Sequence, residues 1–92
     1  MNNILQSVAY KILIKPPAAK DLDSLPVVEV KRLLSHITKL GNDPRPVGIQ
    51  KLTNEEGYRI RSGNYRVLFE INDTSQTIFI YRIKHRKDVY RK

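Results

Sequence analysis

The sequence predicts an α+β fold in which one strand, two helices and three further strands follow in the order β-α-α-β-β-β. Three features predict it: an alternating, branched segment near the N-terminus, an apolar stripe at helical spacing, and three strand-like segments after residue 56. A chain of 92 residues has room for one small core. We therefore expect a single domain spanning residues 1–92, with an antiparallel sheet packed on the two N-terminal helices.

The first strand and first helix are predicted from residues 8–25. Residues 8–15 (VAYKILIK) alternate and are rich in branched side chains, which favours a strand, and Pro16-Pro17 should end it. Residues 18–25 are compatible with a short helix. Pro26 then suits the first position of a second helix, because proline lacks the N–H that this position leaves unbonded.

The second helix should run to about Leu40, with Gly41 as its C-cap. His36 is expected to lie off its apolar stripe and to face solvent. The side chains of the stripe recur every three or four residues, and we expect all of them to face the core: Val27, Val30, Leu33, Leu34, Ile37 and Leu40.

The strands of the second half should form an antiparallel meander. After the proline-rich connection at residues 42–47, three segments have strand composition: residues 58–62 (YRIRS), 65–72 (YRVLFEIN) and 77–84 (TIFIYRIK). Short turn-forming stretches, Gly63-Asn64 and residues 73–76, join them.

Composition narrows the possible functions. Seventeen Lys and Arg against nine Asp and Glu give a net charge of +8, and residues 57–92 hold nine of the basic residues but three of the acidic ones. This charge predicts an anionic partner or, alternatively, a solvated basic face. The absence of cysteine excludes a disulfide framework, zinc fingers and a thiol nucleophile. With no apolar run of about 20 residues and no signal-peptide pattern, we expect a cytoplasmic protein without membrane contact.

The predicted hairpin around Gly63-Asn64 brings arginines together. A two-residue turn places Arg61 opposite Arg66, so that Arg59, Arg61 and Arg66 project from one side of the sheet. The other side is apolar, with Tyr58, Ile60, Tyr65, Val67 and Phe69. Opposed like charges destabilise a hairpin, whereas an anion bound between them would offset that cost. The alternative is that each guanidinium pairs with Glu70, an acidic helix residue or solvent.

Residues 84–92 (KHRKDVYRK) carry groups that RNA cleavage can use. When a 2′-hydroxyl attacks the adjacent phosphate, cationic donors stabilise the charge on the phosphorane, and no metal or other cofactor is needed. Arginine suits that role but is a poor base. His85 is the candidate general base, and Tyr90 could donate or accept a proton. The alternatives are a merely solvated tail and a Tyr90 ring that packs on the sheet.

Residues 58–71 followed by residues 81–90 resemble the C-terminal half of RelE-family toxins from bacterial and archaeal toxin–antitoxin modules. Residues 42–46 (NDPRP) and Lys51-Leu52 resemble the stretch between helix and sheet in the same toxins, so the resemblance covers most of the chain. It implies a microbial-RNase-like fold and metal-independent cleavage of mRNA in the ribosomal A site. It also implies a RelB-like antitoxin that neutralises the toxin within a hetero-oligomer.

The resemblance also carries site residues over by position. Arg59 and Arg61 match a basic pair on the second strand of the family, Arg66 a phosphate-contacting arginine, Arg86 a post-sheet arginine, and Tyr90 a C-terminal tyrosine. The predicted catalytic set is Arg59, Arg61, Arg66, His85, Arg86 and Tyr90, and the predicted RNA-binding side chains are Lys51, Arg82, Lys84 and Lys87. Two departures are visible: Lys84 stands where relatives often have glycine, and the pair at 59 and 61 replaces lysines found in some members.

Two other functions are compatible with the same sequence. ParE-type relatives share the fold, bind DNA gyrase and cut no RNA, but the His85-Arg86 and Tyr90 groups favour an RNase. A non-catalytic nucleic-acid-binding module would need only the charge, yet the aromatic rings at positions 58, 65 and 69 fall on the apolar side rather than the exposed one. The resemblance therefore implies a ribosome-dependent endoribonuclease toxin that inhibits translation. Its antitoxin is expected to be an acidic, partly disordered chain, which would fit the charge of this protein.

Overall fold

A mixed sheet runs through the molecule, with helices on one of its faces. The computed structural model describes residues 9–53 and 57–89, and over them the sheet has five strands in the order β1-β5-β4-β3-β2. The elements are β1 (Lys11–Ile14), α1 (Pro16–Asp23), α2 (Val27–Asn42), β2 (Gln50–Lys51), β3 (Tyr58–Ser62), β4 (Tyr65–Asn72), β5 (Thr77–His85) and α3 (Arg86–Val89). The α+β class and the order of the predicted elements are confirmed.

The first strand pairs in a direction that the sequence did not indicate. β1 runs parallel to β5, from Lys11 beside Thr77 to Ile14 beside Ile80, and the Lys15 N–H donates to the Ile80 carbonyl at 2.8 Å. The prediction of a wholly antiparallel sheet was therefore wrong for β1, because alternation identifies a strand but not the direction of its neighbour.

Each helix has a proline at or directly before its first residue, and the bounds differ slightly from those predicted. Pro16 occupies the first turn of α1, and Pro26 is the N-cap residue of α2 rather than its first residue. Gly41 is not the C-cap, since α2 continues to Asn42. A Cβ on Gly41 would lie 3.1 Å from the Tyr10 carbonyl oxygen, and the Tyr10 N–H donates to the Gly41 carbonyl at 2.7 Å. This glycine lets α2 pack closely against the chain before β1.

The buried side of α2 is rotated relative to the predicted stripe. Leu33, Ile37 and Leu40 are buried as predicted, but Val27 is 69% exposed and Leu34 38% exposed. His36, predicted to face solvent, is half-buried. It follows Leu33 by three residues and precedes Leu40 by four, a spacing that places it beside the buried residues on the helix surface.

The core lies between the helices and the sheet. The apolar side predicted for the hairpin faces it: Val67 and Phe69 are buried, and the rings of Tyr58 and Phe69 lie 6.0 Å apart. The fully or nearly buried apolar residues come from α1, α2, β4 and β5: Ala18, Leu22, Leu33, Ile37, Leu40, Val67, Phe69, Ile78, Ile80 and Ile83.

A β-bulge in β5 decides which of its side chains face the core. Leu68 pairs with Arg82, whereas the next residue, Phe69, pairs with Ile80, so Tyr81 is an extra residue. The bulge changes the alternation, and both Ile80 and Ile83 are therefore buried although three residues separate them.

Two short elements were not predicted. β2 has two residues, and α3 follows β5 directly, after β5 has continued one residue beyond its predicted end to His85. Neither element is long enough to show a period in the sequence. Across the residues that the structure describes, no helix is long and apolar enough to span a membrane.

Candidate functional site

The sheet face opposite the helices carries a line of cations. Because directly opposed residues share a face, the pairing of Arg61 with Arg66 and of Arg66 with Lys84 places three basic residues side by side on β3, β4 and β5. We call Arg61, Arg66 and Lys84 the cation row, and the face that carries it the open face. The row lies at the end of the sheet where Gly63-Asn64 joins β3 to β4, which we call the Asn64 end.

The members of the cation row differ in burial. Arg61 is exposed, Lys84 is half-buried, and Arg66 is only 6% exposed. Helix α3 contacts both β4 and β5 at this end. The Arg86 N–H, at the start of α3, donates to the Asn64 carbonyl at 2.7 Å, which holds this helix against the turn. Arg86 and Lys87 are exposed there, so further positive charge lies next to the row.

Arg59 lies on the open face, one pleat further from the turn. It pairs with Leu68, and its Nε donates to the Gln50 side-chain oxygen at 2.8 Å. This hydrogen bond fixes the direction of the guanidinium and leaves its two terminal nitrogens to other acceptors. Arg59, Arg61 and Arg66 therefore share one face, as predicted, with Lys84 added beside them.

Arg82 has a structural partner. Its Nε donates to Asp21 Oδ2 at 2.8 Å, and the same carboxylate oxygen accepts the Ile83 N–H at 2.8 Å. Burial raises the pKa of Asp21, but the hydrogen bonds from Arg82 and Ile83 outweigh it and leave this pKa below its ordinary value. Asp21 thus accepts a hydrogen bond from a backbone N–H of β5 that lies beyond the end of β1.

His85 is not in the cation row. It pairs with Tyr65, on the face that the helices cover, and the two rings meet edge to face with centroids 5.3 Å apart. The Lys87 N–H donates to His85 Nδ1 at 3.2 Å, so the neutral ring carries its proton on Nε2. His85 therefore acts as a cap for α3 and lies on the other face from Arg66. Tyr90, the other predicted proton-transfer group, lies outside the described residues.

The opposite end of the sheet, at the turn of residues 73–76, pairs its charges. We call it the Asp73 end. Asp73 accepts hydrogen bonds from Tyr10 Oη at 2.7 Å and from two nitrogens of Arg45 at 3.1 and 3.2 Å. These bonds lower the pKa of Asp73 and raise that of Tyr10. Lys51, a predicted RNA-binding residue, is also at this end, with Nζ 5.3 Å from the centre of the Tyr58 ring.

Comparison with known proteins identifies the family. The model of the ParE toxin of the parDE type II toxin–antitoxin system matches residues 12–90. The toxin RelG of Mycobacterium tuberculosis is 32% identical over 89 residues, which cover 90% of this chain and 98% of RelG. The chain is a toxin of the RelE/ParE superfamily.

Two further relatives agree on the fold and the family. The toxin RelE3 of Methanocaldococcus jannaschii is 34% identical over 85 residues, covering 87% of this chain and 94% of that toxin. A chain of the toxin–antitoxin complex RelBE2 from M. tuberculosis superposes with a TM-score of 0.78 at 28% identity, covering 86% of this chain and 93% of that chain. The RelE/ParE assignment thus extends over most of the toxin.

Two features of the site were not predicted from the sequence. Lys84 was expected to bind RNA but was not placed beside Arg66, and the contact of His36 with Ser62 was missed. His36 Nδ1 lies 2.5 Å from Ser62 Oγ, and Ser62 is only 2% exposed. The spacing of His36 from Leu33 and Leu40 was the signal for its burial. No three His, Asp or Glu side chains within residues 9–53 and 57–89 are grouped as a metal site.

Proposed function

We propose that this RelE/ParE superfamily toxin is a ribosome-dependent endoribonuclease that cuts mRNA and thereby stops translation. The observation that carries the proposal is the cation row, in which Arg61, Arg66 and Lys84 lie side by side on the open face. The similarity to toxins named RelG and RelE3 supports the RNase branch over a gyrase-binding one.

The row suits the chemistry of phosphodiester cleavage. The 2′-oxygen attacks phosphorus and passes its proton to solvent water, the bond from phosphorus to the 5′-oxygen breaks, and the leaving oxygen gains a proton. The products are a 2′,3′-cyclic phosphate and a 5′-hydroxyl. Arg61 and Arg66 would donate hydrogen bonds to the non-bridging oxygens, whose negative charge grows in the transition state. The Lys84 ammonium, next to Arg66, would face the leaving 5′-oxygen and supply its proton.

The acceptor of the 2′-hydroxyl proton is not one of the arginines, because a guanidinium stays protonated. His85 lies on the other face and is left out of the proposed site, while Tyr90 stays a prediction from the sequence. Among the described residues, no histidine lies in the cation row. A site with strong charge stabilisation and no such base gains most from a partner that aligns the RNA for attack, and the ribosome would supply that alignment.

We expect an antitoxin to bind this toxin and neutralise it. The M. tuberculosis chain that superposes on this toxin was solved in a toxin–antitoxin complex, RelBE2. We propose a RelB-like antitoxin that forms a hetero-oligomer with this chain in the cytoplasm. An acidic, partly disordered antitoxin would complement a net charge of +8 and the cations of the open face.

The decisive experiment removes Lys84. Wild-type toxin and the Lys84→Ala variant are added to a bacterial cell-free translation reaction, and mRNA ends are mapped by primer extension with and without ribosomes. Lys31→Ala, on the exposed side of α2, is the matched control because it removes the same charge away from the row. We expect wild-type toxin to cut mRNA only when ribosomes are present. Lys84→Ala should cut about 100-fold more slowly, whereas Lys31→Ala should cut at the wild-type rate.

The outcomes are distinguishable. Equal rates for Lys84→Ala and Lys31→Ala would remove the cation row from the mechanism. Intact mRNA together with inhibited DNA supercoiling by gyrase would replace the RNase by a ParE-type gyrase inhibitor.

A further inference from the structure

We propose that the groove between α2 and β3 is a nucleobase subsite that binds a guanine of the RNA held by the cation row. This inference rests on the proposed function, since it extends the same RNA path. The groove has a volume of about 360 Å³, which is enough for one nucleotide, and it lies beside Arg61 at the edge of the sheet.

The groove has an apolar floor and a polar rim. His36 and Leu40 lie four residues apart on one side of α2, and Asp43 directly follows the last residue of that helix. Lys39 and Pro46 also line the groove. Ile60 on β3 completes the floor opposite Leu40. An apolar floor suits the flat face of a base, and the rim supplies groups that hydrogen-bond its edge.

His36 is held in place as a stacking surface. Its Nδ1 forms a hydrogen bond with the buried Ser62 hydroxyl, and this bond limits rotation of the ring. Single-stranded RNA is commonly recognised by stacking of bases on aromatic rings, histidine included, and on arginine guanidinium planes. The groove offers both, His36 on one side and Arg61 on the other.

The groove continues the proposed RNA path. Arg61 belongs to the cation row and also lines the groove, so a phosphate on the row and the adjacent base in the groove can share this residue. Within the described residues, β2 pairs only with Tyr58 and Arg59, which leaves the edge of β3 at Arg61 uncovered by another strand. A strand of RNA can therefore pass from the open face over this edge.

Asp43 selects the base. Its carboxylate is exposed at the rim and only accepts hydrogen bonds. Guanine presents two adjacent donors, N1–H and the N2 amino group, and so matches a carboxylate with two bonds, whereas adenine and cytosine present one amino donor beside an acceptor. RNA is favoured as the occupant because Arg61 belongs both to the groove and to the cation row, so one RNA strand can contact both.

The test compares short oligouridines that carry either one guanine or one adenine. Their binding to the free toxin is measured by fluorescence anisotropy for wild type, Asp43→Asn and the control Asp23→Asn, which changes an exposed carboxylate outside the groove. We expect wild type and Asp23→Asn to prefer the guanine RNA by about tenfold. Asp43→Asn should lose this preference and turn towards adenine, because an amide offers one donor and one acceptor.

A second variant separates stacking from base selection. His36→Ala should weaken both RNAs alike, and circular dichroism checks that the variant is folded. Equal affinity of wild type for the two RNAs, or an unchanged guanine preference in Asp43→Asn, would overturn the subsite. If Asp43→Asn impaired only neutralisation by the antitoxin, the groove would be an antitoxin contact and the proposal would again be wrong. A guanine preference in binding without any ribosome-dependent cutting would leave the subsite standing and overturn the proposed RNase.

Discussion

The two ends of the sheet differ in what lies next to their arginines: a carboxylate at one end and further cations at the other. At the Asp73 end, Arg45 donates two hydrogen bonds to a carboxylate that also accepts one from Tyr10. At the Asn64 end, Arg61 and Lys84 flank a third cation, Arg66, in direct cross-strand register. The first arrangement ties the segment before β1 and the loop after α2 to the β4–β5 turn. The second places like charges next to one another, which costs stability that a bound phosphate would restore.

The difference separates stabilising charges from functional ones within a single sheet. A charge that holds the fold is expected to have a partner in the same chain, because ordering a long side chain without one gains nothing. A charge kept for an anionic ligand is expected where its neighbours in the sheet are also cations. This criterion assigns Arg45 to the fold and Arg61 to the ligand.

The largest expected effect comes from removing one arginine at each end. Arg61→Ala should reduce the rate of mRNA cutting on ribosomes by about 100-fold and leave the melting temperature almost unchanged, since Arg61 is exposed. Arg45→Ala should leave cutting unchanged and lower the melting temperature by no more than about 5 °C, because its ion pair with Asp73 is exposed. Primer extension and differential scanning calorimetry on the same protein preparations measure both. The comparison would fail if both variants lost activity and stability together.

Glycine at the two ends of β3 gives the second test. Gly57, before β3 at the Asp73 end, has φ of 111°, and a Cβ there would lie 2.7 Å from the Phe69 carbonyl oxygen. Gly63, in the turn at the Asn64 end, has φ of 62°, and its Cβ would approach only the flexible tip of Arg32, at 3.0 Å. We expect Gly57→Ala to cost at least about 2 kcal/mol of unfolding free energy, and Gly63→Ala about 1 kcal/mol.

Urea unfolding of both glycine variants measures these costs. A larger cost at Gly63 than at Gly57 would show that the Asn64 turn, rather than the Asp73 end, is the rigid part of the sheet. The Gly63→Ala variant should also retain cutting, because the cation row follows from strand register and not from the turn residue itself.

The pairing of β3 with β4 could be predicted from the sequence, whereas the register of β5 against β4 could not. The two-residue turn fixes every pair between β3 and β4, so the shared face of Arg59, Arg61 and Arg66 followed from spacing alone. On β5, counting without a bulge would place Lys84 opposite Tyr65. The bulge at Tyr81 shifts the count by one, so that Lys84 joins Arg66 and His85 moves to the helix side.

The other differences arise from contacts between distant segments. The direction of β1 depends on where α1 and α2 return the chain, which alternation within residues 11–14 does not encode. Ser62, the partner of His36, lies 26 residues further along the chain, on β3. The family resemblance named the candidate arginines as a group, and strand pairing shows which of them lie side by side.

The last prediction concerns Asp21, whose carboxylate keeps Arg82 at the β5 edge, between the two ends. Because the pKa of Asp21 is lowered on folding, its stabilisation is present above about pH 4, the value expected for an unfolded aspartate, and is lost as the pH falls further. Asp21→Asn should therefore cost about 1–2 kcal/mol of unfolding free energy at neutral pH, through the charged hydrogen bonds to Arg82 and the Ile83 N–H. Urea unfolding of wild type and variant at pH 7 and pH 3, with Asp23→Asn as control, should show a gap that narrows in acid. An equal gap at both pH values would mean that Asp21 acts through its shape and not its charge.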